Sequence, residues 1–155
     1  MTPRLAPEPT VVLALDPGRA KCGIAVVCQA ASGGDRPRVL HREIVEAARV
    51  VARVLPLVAQ HGVETLLVGN ATGGTVLARA LREALPEVPV QLVEEAFTSQ
   101  RARSRYLQEH QPRGLQRLLP PGLRTPPVPI DDYAALLLAE DFFVAASGAT
   151  PKPRP

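Results

Sequence analysis

The chain has 155 residues, a formal net charge of +3 and 46% hydrophobic residues, which is enough for one domain with a real core. Because it contains three Phe, two Tyr and no Trp, that core must be largely aliphatic. All but two of its 18 basic residues are arginines, which suits bidentate recognition of phosphate, although a GC-rich genome gives the same bias. The charge alone therefore identifies no partner.

Neither the N-terminus nor the cysteines indicate an exported or membrane protein. The start is polar and contains prolines, and no apolar run approaches the roughly 18 residues of a membrane span. On one strand, Cys22 and Cys28 would lie roughly 20 Å apart, too far for a disulfide, so buried thiols in a reducing compartment are expected. We expect a soluble cytoplasmic protein without membrane contacts, in which one domain at 10–147 lies between flexible ends at 1–9 and 148–155.

Apolar patterns predict the elements in chain order. Short runs rich in β-branched residues, such as Val11–Leu15 and Ile24–Cys28, predict strands, and apolar residues three or four positions apart predict helices. The predicted strands are two within 10–29 and one each at 38–44, 65–68 and 88–93, and the predicted helices are at 46–61, 75–85, 98–108 and from 131 onwards. Gly62 closes the first helix as a cap, and Pro56 predicts a kink in it. Six prolines make 111–129 a loop.

This order of elements predicts an α/β fold with a mixed five-stranded sheet. The first three strands form a meander, and the later strands join a parallel half through helical crossovers, which places helices on both faces. Open sheets of this kind have their sites at the carboxyl ends of strands. Polar residues mark those ends at Asp16, Asn70 and Glu95, and the last helix begins with Asp131 and Asp132. Taken alone, Asp16 is equally typical of a turn residue that bonds its own backbone.

Four segments carry these polar residues in a recognisable order. They read LALDPGRAKCGIAVV, VETLLVGNATGG, VQLVEEAFTSQRARSRYL and IDDYAALLLAEDFF, and together they span about residues 10–145. No single segment is specific, since Asp-Pro-Gly alone is common. Together, and on the expected elements, they resemble the four motifs of the YqgF/RuvX family of the RNase H-like superfamily.

The resemblance implies an RNase H-like fold and an acidic active site. Asp16, Glu95 and Asp131 would form a cluster that binds two Mg or Mn ions and hydrolyses phosphodiester bonds. Asp132 is either a further metal ligand or a charge at the helix start. Hard cations take oxygen ligands, and carboxylates brought together repel each other unless a cation lies between them. Glu94 points away from Glu95 if the strand continues, so only one of them serves, and the motif favours Glu95.

Two positions depart from the family pattern. The family has Arg directly after the catalytic Glu, where this chain has Ala96. Residues 70–74 read NATGG in place of an Asn-x-Asp-Gly run. This loop is similar to that of the YqgF-like domain in larger RNA-associated proteins, which favours RNA as the substrate.

A basic segment after Glu95 suggests a surface for nucleic acid. Residues 96–129 contain six arginines and a single acid, Glu109, for a formal charge of +5. On a helix, Arg101 and Arg105 share a face one turn apart, a spacing that suits adjacent phosphates, although a solvated helix face is the simpler alternative. The residues assigned to nucleic-acid binding are Arg19, Lys21, Asn70, Thr98, Arg101 and Arg105.

These features predict a divalent-metal-dependent nuclease acting on structured RNA, such as a ribosomal RNA precursor. Two alternatives stay open. The first is a Holliday junction resolvase acting on branched DNA, which would need a homodimer because junction cutting uses two active sites related by symmetry. The second is a nucleic-acid-binding module of the same fold without turnover.

Overall fold

The computed structural model describes residues 8–32, 35–71, 73–95, 98–110, 114–120 and 129–148. The elements found there are β1 (Thr10–Pro17), β2 (Lys21–Gln29), β3 (Arg38–Glu46), α1 (Val50–His61), β4 (Thr65–Gly69), α2 (Gly74–Ala84), β5 (Val90–Val93), α3 (Thr98–Glu109) and α4 (Asp131–Ala146). Short 3-10 turns at Ala47–Arg49 and Gly114–Leu118 precede α1 and follow α3. The predicted flexible ends lie almost entirely outside the described residues, as does most of the predicted loop at 111–129.

The five strands form one mixed sheet in the order β3-β2-β1-β4-β5. The pairs β1–β2 and β2–β3 are antiparallel, whereas β1–β4 and β4–β5 are parallel. The predicted meander and parallel half are therefore confirmed. Because β1, β4 and β5 run in the same direction, their carboxyl ends share one edge of the sheet, where ligands bind in folds of this kind.

Helices cover both faces of the sheet, as the sequence predicted. On β1, Leu13 and Leu15 pack in the core beneath α1 and α2, and Val12 and Ala14 pack against α4. Such a central strand has little polar alternation because it is buried on both sides. Side chains alternate along a strand, so Asp16 follows Val12 and Ala14 onto the α4 face.

The first helix begins later than the sequence predicts. Residue 46 still belongs to β3, where it pairs with Lys21 of β2, and the amide of Ala47 donates to the carbonyl of Ala20 at 2.9 Å. These contacts with the β1–β2 hairpin hold the chain extended, and tertiary pairing overrides the local helical pattern. The helix continues through Pro56 and ends at Gly62, whose φ of 62° is that of a left-handed cap.

The described helices contain no segment with the length and apolar character needed to cross a bilayer.

The aliphatic core predicts a large penalty for truncation. Leu13→Ala, at a side chain with 0% exposure, should lower the free energy of unfolding by about 2–5 kcal/mol because it leaves a cavity in the central strand. Val76→Ala is the matched control, since Val76 is 70% exposed, and it should change stability by less than about 0.5 kcal/mol. Urea denaturation of both variants measures the difference, and equal losses would contradict the core assignment.

Candidate active site

Asp16 and Asp131 are brought together by a close contact between α4 and the sheet. Asp16 ends β1 and pairs in register with Gly23 of β2. A Cβ at position 23 would overlap the backbone of Asp131 and Asp132. The glycine therefore lets the first turn of α4 lie directly on β2, next to Asp16.

Glu95 reaches the same place from the end of β5. A Cβ on Gly69, the last residue of β4, would overlap the Glu95 carboxylate. With glycine there, that carboxylate crosses the end of β4 and hydrogen-bonds to the Asp16 carboxyl and to the backbone of Ala71. Glu95 Oε1 is buried and has no hydrogen-bond partner among the described residues.

The cluster strongly perturbs the ionisation of Asp16. Burial raises the pKa of Asp16 from 3.8 to about 7, with further contributions from the charges of Glu95 and Asp131 and from the hydrogen bond to Glu95. Burial also raises the pKa of Glu95. Two carboxyls that share a hydrogen bond in a partly dry site cannot easily both be charged, so near neutral pH they retain a proton.

Cys22 lies beside the cluster but does not join it as a thiolate. Burial raises the pKa of Cys22 to about 12, helped by the negative charges of Asp16, Asp131 and Glu95. Both cysteines are free, but only Cys22 is buried as the sequence predicted, whereas Cys28 is partly exposed. The ionisable ligands offered by the cluster are therefore carboxylate oxygens, the type preferred by Mg²⁺ and Mn²⁺.

The donor set fits a divalent cation. Within the described ranges, no group of three or more His, Cys, Asp or Glu side chains is arranged so that it could hold a metal ion as it stands. However, a cation that replaced the shared proton would give the unpartnered Oε1 of Glu95 a positive partner. It would also offset the repulsion between Asp16 and the neighbouring carboxylates. Asp16, Glu95 and Asp131 are the residues that would hold it.

Asp132 is engaged elsewhere. Its Oδ2 lies 3.2 Å from Nε of Arg42 on β3, and its side chain is only 17% exposed. Of the two roles that the sequence leaves open for Asp132, this ion pair favours a structural charge at the start of α4 over a metal ligand.

The two arginines expected to face phosphates along α3 are already paired. Arg101 donates to both carboxylate oxygens of Asp141 on α4, at 2.7 and 2.9 Å. Arg105 lies 2.7 Å from Glu109 and 3.2 Å from Glu140. The pairs with Asp141 and Glu140 join α3 to α4, whereas Glu109 lies on α3 itself. Phosphates would have to displace these acidic partners.

The other predicted nucleic-acid contacts differ in their surroundings. Arg19 and Lys21 are exposed in the β1–β2 hairpin directly after Asp16, and neither forms an ion pair with a described residue. Asn70 is exposed directly after β4, and its backbone amide donates to the carbonyl of Val93 at 2.8 Å. Thr98 begins α3, but its side chain lies outside the described part of the structure.

Sequence reasoning missed three residues that build the site, Gly23, Gly69 and Arg42. An isolated glycine inside a strand pattern, as at Gly23, signals close backbone approach, and this signal was available in the sequence. Gly69 ends its strand, where a glycine is easily taken for part of a turn. Nothing local marks Arg42, because its partners Asp132 and Tyr133 come about ninety residues later.

Solved structures with a similar fold include Holliday junction resolvases. The Thermus thermophilus RuvC structure is 26% identical with a TM-score of 0.59 over 90% of this chain and 97% of that chain. T. thermophilus RuvC in complex with a Holliday junction substrate is 24% identical, with a TM-score of 0.56 over 90% and 96%. The fowlpox virus resolvase complex with substrate Holliday junction DNA is 7% identical, with a TM-score of 0.61 over 88% and 99%. Neither a protein-family model nor a curated protein matches this chain.

These comparisons define the class of fold. The chain has the RNase H-like fold found in RuvC and in the poxvirus resolvase, with the mixed five-stranded sheet and its helices in common.

The raised pKa of Asp16 predicts how stability depends on pH. Since the folded-state pKa of about 7 exceeds the unfolded value of 3.8, the folded protein binds the proton more tightly, and stability is lost as pH rises between these values. Asp16→Asn should remove this loss of stability with rising pH, because the asparagine side chain does not ionise. Without divalent ions, it should stabilise the protein by about 1–2 kcal/mol near pH 8, less than the whole shift would give because the carboxyl is partly solvated.

The gain should shrink towards zero near pH 4, where Asp16 is protonated in the folded protein. Thermal unfolding with a chelator at several pH values measures it. Glu94→Gln, at an exposed neighbour, is the control and should show no such trend. A gain from Asp16→Asn that does not change with pH would contradict the assignment.

Proposed function

We propose that the protein is a divalent-metal-dependent nuclease that hydrolyses phosphodiester bonds in branched DNA. The observation that carries this proposal is the convergence of Asp16, Glu95 and Asp131 at one edge of an RNase H-like sheet. Branched DNA is favoured because RuvC and the fowlpox resolvase, which share the fold, are both known in complexes with Holliday junctions. The preference for RNA rests only on the loop at 70–74.

The cluster would act through its negative charge and its placement. Mg or Mn held by Asp16, Glu95 and Asp131 would supply an activated water and would stabilise the departing oxygen of an in-line displacement. Asp16 must lose its proton before it can serve as a ligand, so occupancy should increase as pH rises through its pKa of about 7. Gly69 and Gly23 keep the carboxylates within reach of each other, because a side chain at either position would separate them.

Family membership and assembly are finer proposals. We propose that the chain is a YqgF/RuvX-type protein, on the strength of the four motifs and in spite of Ala96 and the NATGG loop. We further propose that it acts as a homodimer, since cutting both strands of a junction symmetrically requires two active sites related by a two-fold axis.

Cleavage assays test the proposed function directly. With Mg or Mn, wild-type protein should cleave a four-way DNA junction faster than duplex DNA or single-stranded RNA. Asp16→Asn and Glu95→Gln should each slow cleavage more than about 100-fold, equivalent to roughly 2.7 kcal/mol of barrier, because each removes a cation ligand. Glu94→Gln is the matched control and should cleave normally.

Each alternative gives a different result in these assays. Faster cleavage of RNA would support the ribosomal RNA nuclease. Junction binding without cleavage under any divalent ion would support a binding module. Full activity of Asp16→Asn would reveal a contaminating enzyme and remove the proposal.

The exposed hairpin predicts where phosphates are bound. Arg19→Ala with Lys21→Ala should weaken junction binding and reduce the slope of log affinity against log salt by roughly 2, since two cations that form no ion pair with a described residue are lost. The matched double variant, Arg101→Ala with Arg105→Ala, should change the slope less and should instead lower the melting temperature, because these arginines join α3 to α4. Fluorescence anisotropy at several salt concentrations measures both slopes. A larger loss of slope in the α3 variant would place the phosphates on α3.

A further inference from the structure

We propose that Arg42 is a positioning residue: it fixes the first turn of α4 and so holds Asp131 beside Asp16. The inference rests on the proposed function of the acidic cluster, because a position for Asp131 matters only if its carboxylate serves there. Arg42 lies on β3, and its described contacts are with the residues that follow Asp131 rather than with the cluster itself.

The first turn of α4 lacks the usual means of fixing a helix start. Its N-cap residue is Ile130, and no side chain caps the turn. The amides of Tyr133 and Ala134 donate to the Ile130 carbonyl at 3.0 and 3.2 Å. Asp131 and Asp132 suit the helix dipole, but they also bring negative charge towards the acids at the sheet edge. A cation beside this turn would offset that negative charge.

Arg42 supplies that cation with two contacts to consecutive residues. Its Nε lies 3.2 Å from Oδ2 of Asp132, and its guanidinium carbon lies 4.1 Å from the centre of the Tyr133 ring. A planar guanidinium can pair with a carboxylate and stack on an aromatic face at once, which an ammonium group does poorly. Arg42 therefore fixes the two positions directly after Asp131.

The strand that carries Arg42 lies beside the contact that places Asp131. Arg42 pairs in register with Ala25, and Ile44 pairs with Gly23, so Arg42 is two residues along β3 from the row where α4 lies on the sheet. Tyr133 also donates a hydrogen bond from its hydroxyl to Oε2 of Glu109, the last residue of α3, at 2.9 Å. The ring is thus held from β3 and from α3.

Arg53 provides a matched control. It forms an ion pair with Glu43, joining α1 to the strand that carries Arg42, and it has no described contact with α4. Arg42→Met and Arg53→Met each remove one arginine of a β3 ion pair and keep most of the aliphatic chain. Only the first should disturb the start of α4.

The first measurement needs no metal. Hydrogen exchange at the amides of Tyr133 and Ala134 should be about ten-fold faster in Arg42→Met than in wild-type protein, because local opening of the turn becomes easier. Arg53→Met should leave these two rates unchanged. Arg42→Lys should give an intermediate rate, since it keeps the charge opposite Asp132 but loses the planar stack on Tyr133.

The second measurement is Mn²⁺ binding, followed by the electron paramagnetic resonance of the free ion. The Kd should rise about ten-fold in Arg42→Met, as expected for loss of a group that orients a ligand, and should stay at the wild-type value in Arg53→Met. If Asp132 were itself a ligand, freeing it from Arg42 would tighten binding instead.

The outcomes separate this inference from the proposed function. Exchange rates and Mn²⁺ affinity in Arg42→Met equal to those in Arg53→Met would overturn the positioning role alone, as would tighter binding. Wild-type protein that binds no Mn²⁺ would overturn the proposed function and this inference with it. Faster exchange together with weaker binding, both partly restored by Arg42→Lys, would support both.

Discussion

The crowding of carboxylates at one edge of the sheet is the constraint around which the molecule is built. Asp16 lies on β1, Glu95 follows the end of β5 and Asp131 begins α4. Burial and mutual repulsion raise the pKa of Asp16 to about 7. A fold would avoid such an arrangement unless something offset it. Gly23 and Gly69 remove the side chains that would otherwise keep these acids apart. Near the site, side chains are thus omitted at two positions so that the carboxylates can approach each other. This is typical of a functional site rather than of a stable core.

Most of the long-range ion pairs near the site end on α4. Arg42 reaches its first turn from β3, and Arg101 and Arg105 reach its second half from α3. The inner face of α4 packs against the sheet through alanines, leucines and Phe143, so its orientation depends on both apolar and charged contacts. Arg101 and Arg105, which the sequence assigns to nucleic acid, are thus also paired with acids of α4. Arg19 and Lys21, in the hairpin after Asp16, are exposed and form no ion pair with a described residue.

The sequence predicts the sheet well and the site in part. Buried strands such as β1 are visible because both of their faces are apolar, and Asp16 is conspicuous where that run ends. Long-range pairs are not visible, since Arg101 meets Asp141 across 40 residues and Arg105 meets Glu140 across 35. The sequence pattern predicts too early a start for α1, because pairing with β2 extends β3 through residue 46. The local sequence pattern identifies the strands and helices, but only their packing decides which charged side chains form ion pairs with each other.

The two thiols differ in a way that is useful for spectroscopy. Cys22 is buried with its pKa raised to about 12, so almost no thiolate exists there to attack a maleimide. Cys28 is half-exposed near the far end of the same strand, roughly 20 Å from Cys22 by strand geometry. A fluorophore or spin label added to the wild-type chain should therefore attach at Cys28 alone. The natural sequence thus offers a single attachment point from which distances to bound paramagnetic Mn²⁺ can be measured without engineering.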